Sequence, residues 1–285
     1  MYDLTNREVI YHLAQSHGFQ FKKGFGQNFL TNEEVLFSIC RAACPEGGEG
    51  VLEIGPGFGT LTAALAQTAK RVVSVEVDER LFPVLKETLA GFQNIRIVAG
   101  DILKVDLLSL LKEEFGEEKV SVAANLPYYI TTPILMRLLE ESLPIRRIVV
   151  MVQKEVADRM MASPGKKDYG ALSVAVQYYA EPHLICTVPK EDFVPAPKVD
   201  SAVVALDILD TPRVRVDDTK RFFRFVKGVF AQRRKTLING IKNAGFAGDK
   251  TKEDLAEIFQ LCGLDKNVRG ETLPIETFAE ILKKL

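Results

Sequence analysis

Short apolar runs rich in β-branched residues alternate with segments of helical periodicity between residues 51 and 208. The strand-type runs are VLEIG, VVSVEV, IRIVAG, VSVAAN and RRIVVMV, with helices expected from about Gly59, up to Leu89 and from about Thr132. This alternation predicts an α/β fold, a doubly wound parallel sheet. Two later runs, HLICTV and VDSAVVALDIL, are expected to complete the sheet at one edge. Pro195 and Pro197 exclude a regular strand in the segment that separates these two runs.

The pattern changes after Thr211-Pro212, where four amphipathic helices are predicted: Lys220–Gln232, Lys235–Ala244, Thr251–Cys262 and Pro274–Leu285. We therefore expect an α/β domain over residues 1–210, with residues 1–30 as an N-terminal extension, and a small all-helical C-terminal domain over residues 211–285. Ahead of the first strand, Thr31 and Glu34 predict a capping box for a helix that runs to about Ala43.

Composition restricts the function classes. The 285 residues are 47% hydrophobic and 26% charged, which is typical of a soluble globular protein. Neither a membrane-length apolar run nor a signal-peptide pattern is evident, so we expect a cytoplasmic protein without a membrane partner. Four scattered cysteines and three histidines suggest neither a disulfide framework nor a metal site.

Charge is distributed unevenly along the chain. A net charge of −1 argues against a nucleic-acid partner, but residues 213–242 contain ten basic and two acidic residues, a local charge of +8. A solvated helix face usually mixes the two signs. This segment is therefore a candidate phosphate-binding surface, with Arg221, Arg233, Arg234 and Lys235 as the proposed RNA contacts. Internal pairing with acids such as Glu253, Asp254 and Glu257 is the alternative.

The strongest local signal is a glycine turn, Val51-Leu-Glu-Ile-Gly-Pro-Gly-Phe-Gly-Thr60, between a strand and a helix. Gly55, Gly57 and Gly59 permit positive φ and let a ligand lie against bare backbone. A nicotinamide or flavin fingerprint requires glycine where Thr60 stands, which disfavours a dinucleotide oxidoreductase. A purely structural strand–helix connection would use the same residues.

Two acids follow the next two strands. Glu76 ends its strand about 20 residues after the glycines, where an acid can accept both hydroxyls of a ribose. Asp101 follows the third strand and could accept a hydrogen bond from an adenine amino group. Taken alone, Glu76 could also be a solvated acid at a strand end, and Asp101 a helix N-cap.

The segment Asn125-Leu-Pro-Tyr128 ends the fourth strand. It combines an amide oxygen, a carbonyl exposed by the following proline and an aromatic ring, which together suit a planar base that carries an amino group. If the Asn125 side chain and the Leu126 carbonyl accept both N6 hydrogens of an adenine, they favour pyramidal nitrogen and direct its lone pair. A turn of the N-x-P-Y type can also arise without such a role.

These residues resemble those of the small-subunit (16S) ribosomal RNA adenine N6-dimethyltransferase family, class I methyltransferases that use S-adenosylmethionine. The resemblance extends over nearly the whole chain, in the motifs Lys23-Gly-Phe-Gly-Gln-Asn-Phe-Leu30, Glu53-Ile-Gly-Pro-Gly-Phe-Gly-Thr-Leu61, Val75-Glu-Val-Asp78, Gly100-Asp101, Asn125-Leu-Pro-Tyr-Tyr-Ile130, Phe193-Val-Pro-Ala-Pro-Lys-Val-Asp-Ser201 and Phe230-Ala-Gln-Arg-Arg-Lys-Thr-Leu237. It implies a Rossmann-like class I methyltransferase sheet.

The resemblance also implies roles for single residues. The implied cofactor contacts are Asn28 and Leu30 at the methionine end, Gly55 and Gly57 along the cofactor, Glu76 at the ribose, Asp101 and Ile102 at the adenine, and Asn125 facing both cofactor and target. The target adenine is expected to stack between Tyr128 and Phe193, and Leu126 contributes its carbonyl. Phenylalanine is more often a core residue than a stacking surface, so a core position is the alternative for Phe193.

The implied reaction is two successive methyl transfers to N6 of each of two adjacent adenosines in the 3′-terminal hairpin loop of 16S rRNA, within an immature small subunit. Each transfer converts the cofactor to S-adenosylhomocysteine. The resemblance implies that no metal takes part, and we expect the enzyme to be a monomer. Two alternatives remain open: a macrolide-resistance methyltransferase of large-subunit rRNA, which would share residues 22–204, and a non-catalytic ribosome assembly factor. The segment Gln232-Arg-Arg-Lys-Thr-Leu237 favours the small-subunit family.

Overall fold

A computed structural model describes residues 2–21, 27–233 and 235–285. Its main sheet has seven strands: β2 (Gly50–Ile54), β3 (Arg71–Glu76), β4 (Ile95–Ala99), β5 (Val120–Asn125), β6 (Ile145–Gln153), β7 (Ala180–Val188) and β9 (Ser201–Ile208). The spatial order is β4-β3-β2-β5-β6-β9-β7. Strands β2 to β6 pair in parallel, and β9 runs antiparallel to β6. The prediction of a doubly wound α/β sheet is confirmed, with the two late strands at one edge.

A second, two-stranded antiparallel sheet joins β1 (Phe29–Leu30) to β8 (Phe193–Val194). The helices are α1 (Arg7–Ser16), α2 (Glu33–Ala43), α3 (Thr60–Ala66), α4 (Phe82–Thr88), α5 (Leu107–Phe115), α6 (Thr131–Glu140), α7 (Lys154–Met161), α8 (Ala171–Tyr179), α9 (Thr219–Ala231), α10 (Leu237–Asn243), α11 (Lys252–Leu261) and α12 (Ile275–Lys284). No helix within the described residues is long and apolar enough to cross a membrane.

The predicted capping box of α2 is wrong by one residue. Asn32 is the N-cap, and its side-chain oxygen accepts a hydrogen bond from the Val35 amide at 3.1 Å. The Thr31 hydroxyl instead donates to the carbonyl of Asp192 at 2.9 Å. Thr31 therefore ties the start of α2 to the segment before β8, a contact between residues 161 positions apart that a local capping pattern cannot reveal.

The chain divides into two compact units. The first contains the residues up to Ala157 together with His183–Ile208, and the second contains Asp158–Pro182 and Leu209–Leu285. The second unit thus contains the expected 211–285 domain and, in addition, residues 158–182, which the sequence pattern places in the α/β domain. These residues join the second unit because α8 packs on α9: the ring of Tyr178 lies 5.5 Å from that of Phe222 and 5.1 Å from that of Phe223.

Helices α7 and α8 were not predicted from the sequence. The run Ala171–Tyr179 is apolar on most sides, and six of its nine residues are buried. A helix that is buried all round lacks the amphipathic period by which a surface helix is recognised. The same residue types are also common in strands, so the sequence pattern was ambiguous there.

Candidate active site

The carboxyl ends of β2, β3, β4 and β5 meet at one edge of the sheet and open into a cavity. The lining residues include every cofactor position predicted from the sequence and three of the four predicted catalytic positions: Asn28, Leu30, Gly55, Gly57, Glu76, Asp101, Ile102, Asn125, Leu126 and Tyr128. Parallel strands bring their carboxyl ends to the same edge, and open α/β sheets bind ligands there. The fold therefore gathers residues from five separate sequence motifs.

The glycine turn has the backbone conformation that the sequence predicted. Gly55, Gly57 and Gly59 have φ values of +71°, +61° and +90°, in the left-handed region that favours glycine. A Cβ atom on Gly57 would lie 2.7 Å from the Phe29 ring. That ring packs edge-on against Phe58, with 4.7 Å between centroids. Aromatic packing from β1 thus leaves no space for a side chain at Gly57, and the bare backbone lines the cavity.

Glu76 is buried at the end of β3, with 5% of its surface exposed. One carboxylate oxygen accepts a hydrogen bond from the Asp78 amide at 2.8 Å, and the other accepts from the Gly57 amide at 3.3 Å. Burial raises the pKa of Glu76, and the backbone donors oppose that rise. The alternative of a solvated strand-end acid does not hold, because the carboxylate is oriented by two amides and faces the cavity wall.

Asp101 follows β4 and stabilises the turn after it. Its Oδ1 accepts a hydrogen bond from the Leu103 amide at 3.0 Å, which stabilises the turn after β4. Its Oδ2 lies 3.5 Å from Nζ of Lys104, an exposed lysine. The side chain lines the cavity beside Ile102, which is 7% exposed. Asp101 therefore caps a turn with one oxygen, and its role toward the cofactor adenine stays a prediction.

Asn125 ends β5, and its side-chain amide is oriented by a residue outside that strand. Its amide nitrogen donates to the carbonyl of Asn28 at 2.9 Å. Since a carbonyl can only accept, this contact requires Nδ2 on that side and assigns Oδ1 to the opposite side of the amide. The neighbouring backbone is also fixed, because the Leu126 amide donates to the Met151 carbonyl on β6 at 3.2 Å. The motif thus presents an oriented acceptor at the cavity.

Phe193 is a core residue in this structure. The side chain is 1% exposed and belongs to a core cluster that includes Ala123, Met151 and Val203. The described residues that line the cavity do not include it. Phe193 pairs with Leu30 in the β1–β8 ladder, and this pairing draws the ring into the core. The ring thus occupies the core position given as its alternative, although its cluster includes Leu30 and Met151, which line the cavity. Phe193 as the second stacking surface stays a prediction.

Two further lining residues were missed by the sequence reasoning. Gln27 donates through Nε2 to a carboxylate oxygen of Asp78 at 2.9 Å, and Asp78 also pairs with Arg80. Hydrogen bonds from Arg80 and Gln27 lower the pKa of Asp78. The only sequence signal was the position of Asp78 two residues after Glu76. Residues 23–26, the part of its motif that precedes Gln27, lie outside the described residues.

Glu53 is a fully buried acid behind the glycine turn. The hydroxyls of Thr62 and Ser74 each donate to its Oε2 at 2.6 Å, so this carboxyl connects β2 to both α3 and β3. Its Oε1 is buried and has no hydrogen-bond partner among the described residues. Burial raises the pKa of Glu53 to about 7, against the effect of the two hydroxyls.

Glu53→Gln should make stability less dependent on pH. Because the folded-state pKa lies above the unfolded value, the unfolded chain ionises first, and the free energy of unfolding falls as pH rises from about 4.5 to about 7. The expected loss is on the order of 3 kcal/mol. The glutamine variant should show a flatter melting temperature between pH 5 and 8 and exceed wild type at pH 8. Glu117→Gln, at an exposed acid, is the control. Parallel curves for wild type and Glu53→Gln would contradict this assignment.

The predicted RNA contacts have different surroundings. Arg221 and Lys235 are exposed, and Arg234 lies outside the described residues. Nε of Arg233 donates to Glu271 at 2.6 Å, and another of its nitrogens donates to the Lys166 carbonyl at 3.1 Å. Arg233 therefore has an internal acidic partner, although not one of the three acids anticipated from the sequence. Glu253, Asp254 and Glu257 lie on α11 instead.

One face of α9 is basic and exposed. We call it the α9 basic face, and it consists of Lys220, Arg221, Arg224 and Lys227. The opposite face buries Phe222, Phe225 and Val229. The helix contains no acidic residue, and its N-cap is Asp218, which accepts a hydrogen bond from the Arg221 amide at 2.9 Å. The periodicity that buries the aromatic residues thus collects the positive charges on the side that faces solvent.

No group of three or more His, Cys, Asp and Glu residues that could hold a metal ion is found in the described ranges. The cavity instead fits a nucleoside-bearing cofactor: bare backbone at Gly57, an oriented carboxylate at Glu76 and an acceptor at Asp101. Together with the strand order and the Asn125-Leu-Pro-Tyr128 segment, these residues define a class I, S-adenosylmethionine-dependent methyltransferase.

The comparison with protein families is consistent with this class. The model of the family described as ribosomal RNA adenine dimethylase matches residues 18–285. The chain belongs to the ribosomal RNA adenine dimethylase family.

Curated relatives are similar over nearly the whole chain. The chain is 46% identical over 273 residues to ribosomal RNA small subunit methyltransferase A of Alkaliphilus oremlandii, covering 96% of this chain and 94% of the relative. It is 50% identical over 270 residues to the protein of the same name from Geobacillus thermodenitrificans, covering 94% and 92%.

Two solved structures are also similar. A dimethyladenosine transferase from Plasmodium falciparum superposes with a TM-score of 0.74 at 25% identity, covering 90% of this chain and 96% of the other. The 23S rRNA methyltransferase ErmE superposes with a TM-score of 0.67 at 26% identity, covering 90% and 99%. One of these enzymes is named for 23S rRNA and the other only for dimethyladenosine, so the fold alone does not select the RNA substrate.

Proposed function

We propose that this enzyme transfers methyl groups from S-adenosylmethionine to N6 of two adjacent adenosines in the 3′-terminal hairpin loop of 16S rRNA, giving N6,N6-dimethyladenosines. The proposed substrate is the RNA within an immature small ribosomal subunit, and the proposed enzyme is a monomer. The observation that carries the proposal is the orientation of the Asn125 amide by Asn28. The curated relatives are named for the small subunit, which supports this substrate over the large subunit.

The proposed chemistry depends on alignment. Bound S-adenosylmethionine supplies a methyl group that is already activated on a sulfonium, so the protein has to orient the acceptor nitrogen. Oδ1 of Asn125 and the carbonyl of Leu126 accept the two N6 hydrogens, which favours pyramidal nitrogen and directs its lone pair. Tyr128 stacks on the adenine, an interaction worth about 1–3 kcal/mol per base.

A strong general base is not needed for this reaction. The N6 proton becomes acidic once the nitrogen is alkylated, so it can leave to solvent. The described residues that line the cavity include no histidine, in keeping with this chemistry. Glu76 is committed to backbone amides and, in this proposal, to the ribose hydroxyls of the cofactor.

The proposed RNA surface is the α9 basic face. A target base has to leave its stack to enter a pocket of this kind, which costs least in a loop or a single strand. The remaining RNA then needs contacts to its phosphates, which lysine and arginine supply. The net charge of −1 does not reveal this surface, because acidic residues elsewhere offset it.

Reversal of charge on the α9 basic face should weaken binding to small subunits. In the variant Lys220→Glu, Arg221→Glu, Lys227→Glu, the slope of log affinity against log salt should flatten by roughly 0.7–0.9 for each phosphate that the variant no longer neutralises. Arg224 is left unchanged because its guanidinium lies 5.4 Å from the centre of the Phe246 ring. Binding is measured on purified subunits over a range of salt concentrations.

A matched control carries the same change of charge elsewhere in the second unit. Lys252→Glu, Lys266→Glu, Lys283→Glu alters three exposed lysines outside α9. The control should keep more of the affinity and of the salt slope than the α9 variant, and both should bind S-adenosylmethionine normally. Equal salt slopes for the two variants would assign RNA binding to another surface.

The substrate is tested directly by transfer of labelled methyl groups. Purified small subunits from a strain that lacks the modification are compared with large subunits prepared in parallel. The proposal expects label in N6,N6-dimethyladenosine of the small subunit alone. Label in the large subunit would favour the macrolide-resistance type of enzyme, and binding without transfer would favour a non-catalytic assembly factor.

A further inference from the structure

None of the described residues of the segment Phe193-Val-Pro-Ala-Pro-Lys-Val-Asp-Ser201 lines the cavity. Its last residue, however, reaches the proposed active site. The hydroxyl oxygen of Tyr128 lies 2.7 Å from Oγ of Ser201, a hydrogen bond between residues 73 positions apart in the sequence. Ser201 is fully buried, and Tyr128 lines the cavity. The two motifs therefore meet at this hydrogen bond.

Ser201 is held by the same sheet that carries Asn125. Asn125 on β5 pairs with Met151 on β6, and Met151 pairs with Val203 on β9. Ser201 lies two residues before Val203 and opposite Gln153. Ser201 thus lies on β9 and Asn125 on β5, and both strands are hydrogen-bonded to β6 between them.

The backbone alone does not determine the direction of the Tyr128 ring. Tyr128 lies in the turn between β5 and α6, where the Ile130 amide donates to the Pro127 carbonyl at 3.1 Å. The side chain retains two rotatable bonds, and the ring is only partly buried. A hydrogen bond at the far end of the ring restricts rotation about the Cα–Cβ bond, because its partner is a buried hydroxyl on a strand. The hydroxyl oxygen lies on the axis of the second rotatable bond, so the contact fixes where the ring points.

We propose that Ser201 is a positioning residue, which holds the Tyr128 hydroxyl and so fixes the direction of the long axis of the ring relative to the amide of Asn125. This proposal rests on the proposed function, since it assumes that Tyr128 stacks on the target adenine. It assigns to the end of the Phe193–Ser201 segment the support of the Tyr128 stacking surface. Loss of the bond should lower turnover, and cofactor affinity should stay unchanged.

A double-mutant cycle with Ser201→Ala and Tyr128→Phe tests this coupling. Tyr128→Phe keeps the aromatic face and removes only the hydroxyl. Each single variant should lower kcat for methyl transfer by about three- to tenfold, as expected for one neutral hydrogen bond. The double variant should be no slower than the slower single variant, because both changes remove the same bond. Losses that multiply, or an unchanged kcat in folded Tyr128→Phe, would overturn the proposal.

Ser121→Ala is the structural control for this cycle. Ser121 is equally buried on β5, and its Oγ accepts a hydrogen bond from Arg146 at 3.2 Å, away from Tyr128. Its loss can lower the melting temperature but should leave kcat unchanged. A fall in kcat that simply follows the melting temperature in all variants would show a general structural effect and overturn the positioning role.

A ring-specific measurement separates this proposal from the proposed function. A fluorine label on the Tyr128 ring should give one narrow 19F NMR resonance in wild type and a shifted or broadened one in Ser201→Ala, because the ring then samples several orientations. This result does not depend on methyl transfer. An unchanged resonance would overturn the positioning role even if wild type dimethylates small subunits, whereas a changed resonance with no transfer would refute only the proposed function.

Discussion

Asn125→Ala should lower the rate of methyl transfer by about 10²- to 10³-fold, the effect typical of removing one oriented polar group from a transition state. The amide oxygen contributes most as the N6 nitrogen becomes pyramidal and less in the ground state, so binding of RNA should change little. The measurement is single-turnover transfer of labelled methyl groups to small subunits at saturating S-adenosylmethionine.

Asn94→Ala is the matched control for this variant. The Asn94 amide also donates to backbone carbonyls, those of Ala66 and Ala69, but it does not line the cavity. Its loss should affect stability more than turnover. If Asn125→Ala dimethylates adenosine at a rate near that of wild type while folded, the alignment mechanism is wrong.

Glu76→Ala should weaken the binding of S-adenosylmethionine at least tenfold. The variant loses an acceptor that is held by the Gly57 and Asp78 amides, and each hydrogen bond from a ribose hydroxyl to this carboxylate is worth about 1.5–3 kcal/mol. Calorimetry on the folded variant measures the change, with S-adenosylhomocysteine as a second ligand. Both ligands carry the same ribose, so both should lose affinity to a similar extent.

Glu79→Ala provides the comparison for Glu76→Ala. Glu79 is an exposed acid three residues later, and its removal alters the local charge without altering the cavity. Cofactor affinity should remain near that of wild type. Unchanged affinity in Glu76→Ala itself would remove Glu76 from the cofactor site.

The cofactor side of the site was predictable from the sequence because its signals are local. The glycine turn lies between a strand and a helix that directly adjoin it, and its positive φ values follow from the glycines themselves. Glu76 is the last residue of one strand, and Asp101 closely follows the next. In a parallel sheet, strand ends that are far apart in sequence necessarily lie at the same edge. Predicting the elements was therefore enough to bring these residues together.

Contacts between distant segments were not predictable in this way. Helix α8 was missed because its burial hides the amphipathic period. Residues 158–182 group with the second unit because α8 packs on α9, a contact that the sequence pattern does not show. The burial and the hydrogen bonds of Glu53 were also not predictable, because they depend on Thr62 and Ser74, which lie on two other elements. No sequence spacing reports such an arrangement.

The α/β fold class, the order of the strand-forming runs, the cofactor edge and the segment that carries the proposed chemistry all followed from the amino-acid sequence, because each depends on neighbouring residues or on the rule for parallel strands. The surroundings of the Phe193–Ser201 segment became visible only in the folded chain. Pairing between β1 and β8 buries Phe193, and the antiparallel register of β9 on β6 brings Ser201 to the hydroxyl of Tyr128. Strand register is a property of packed neighbours, and a one-residue shift would reverse which side chains face the core.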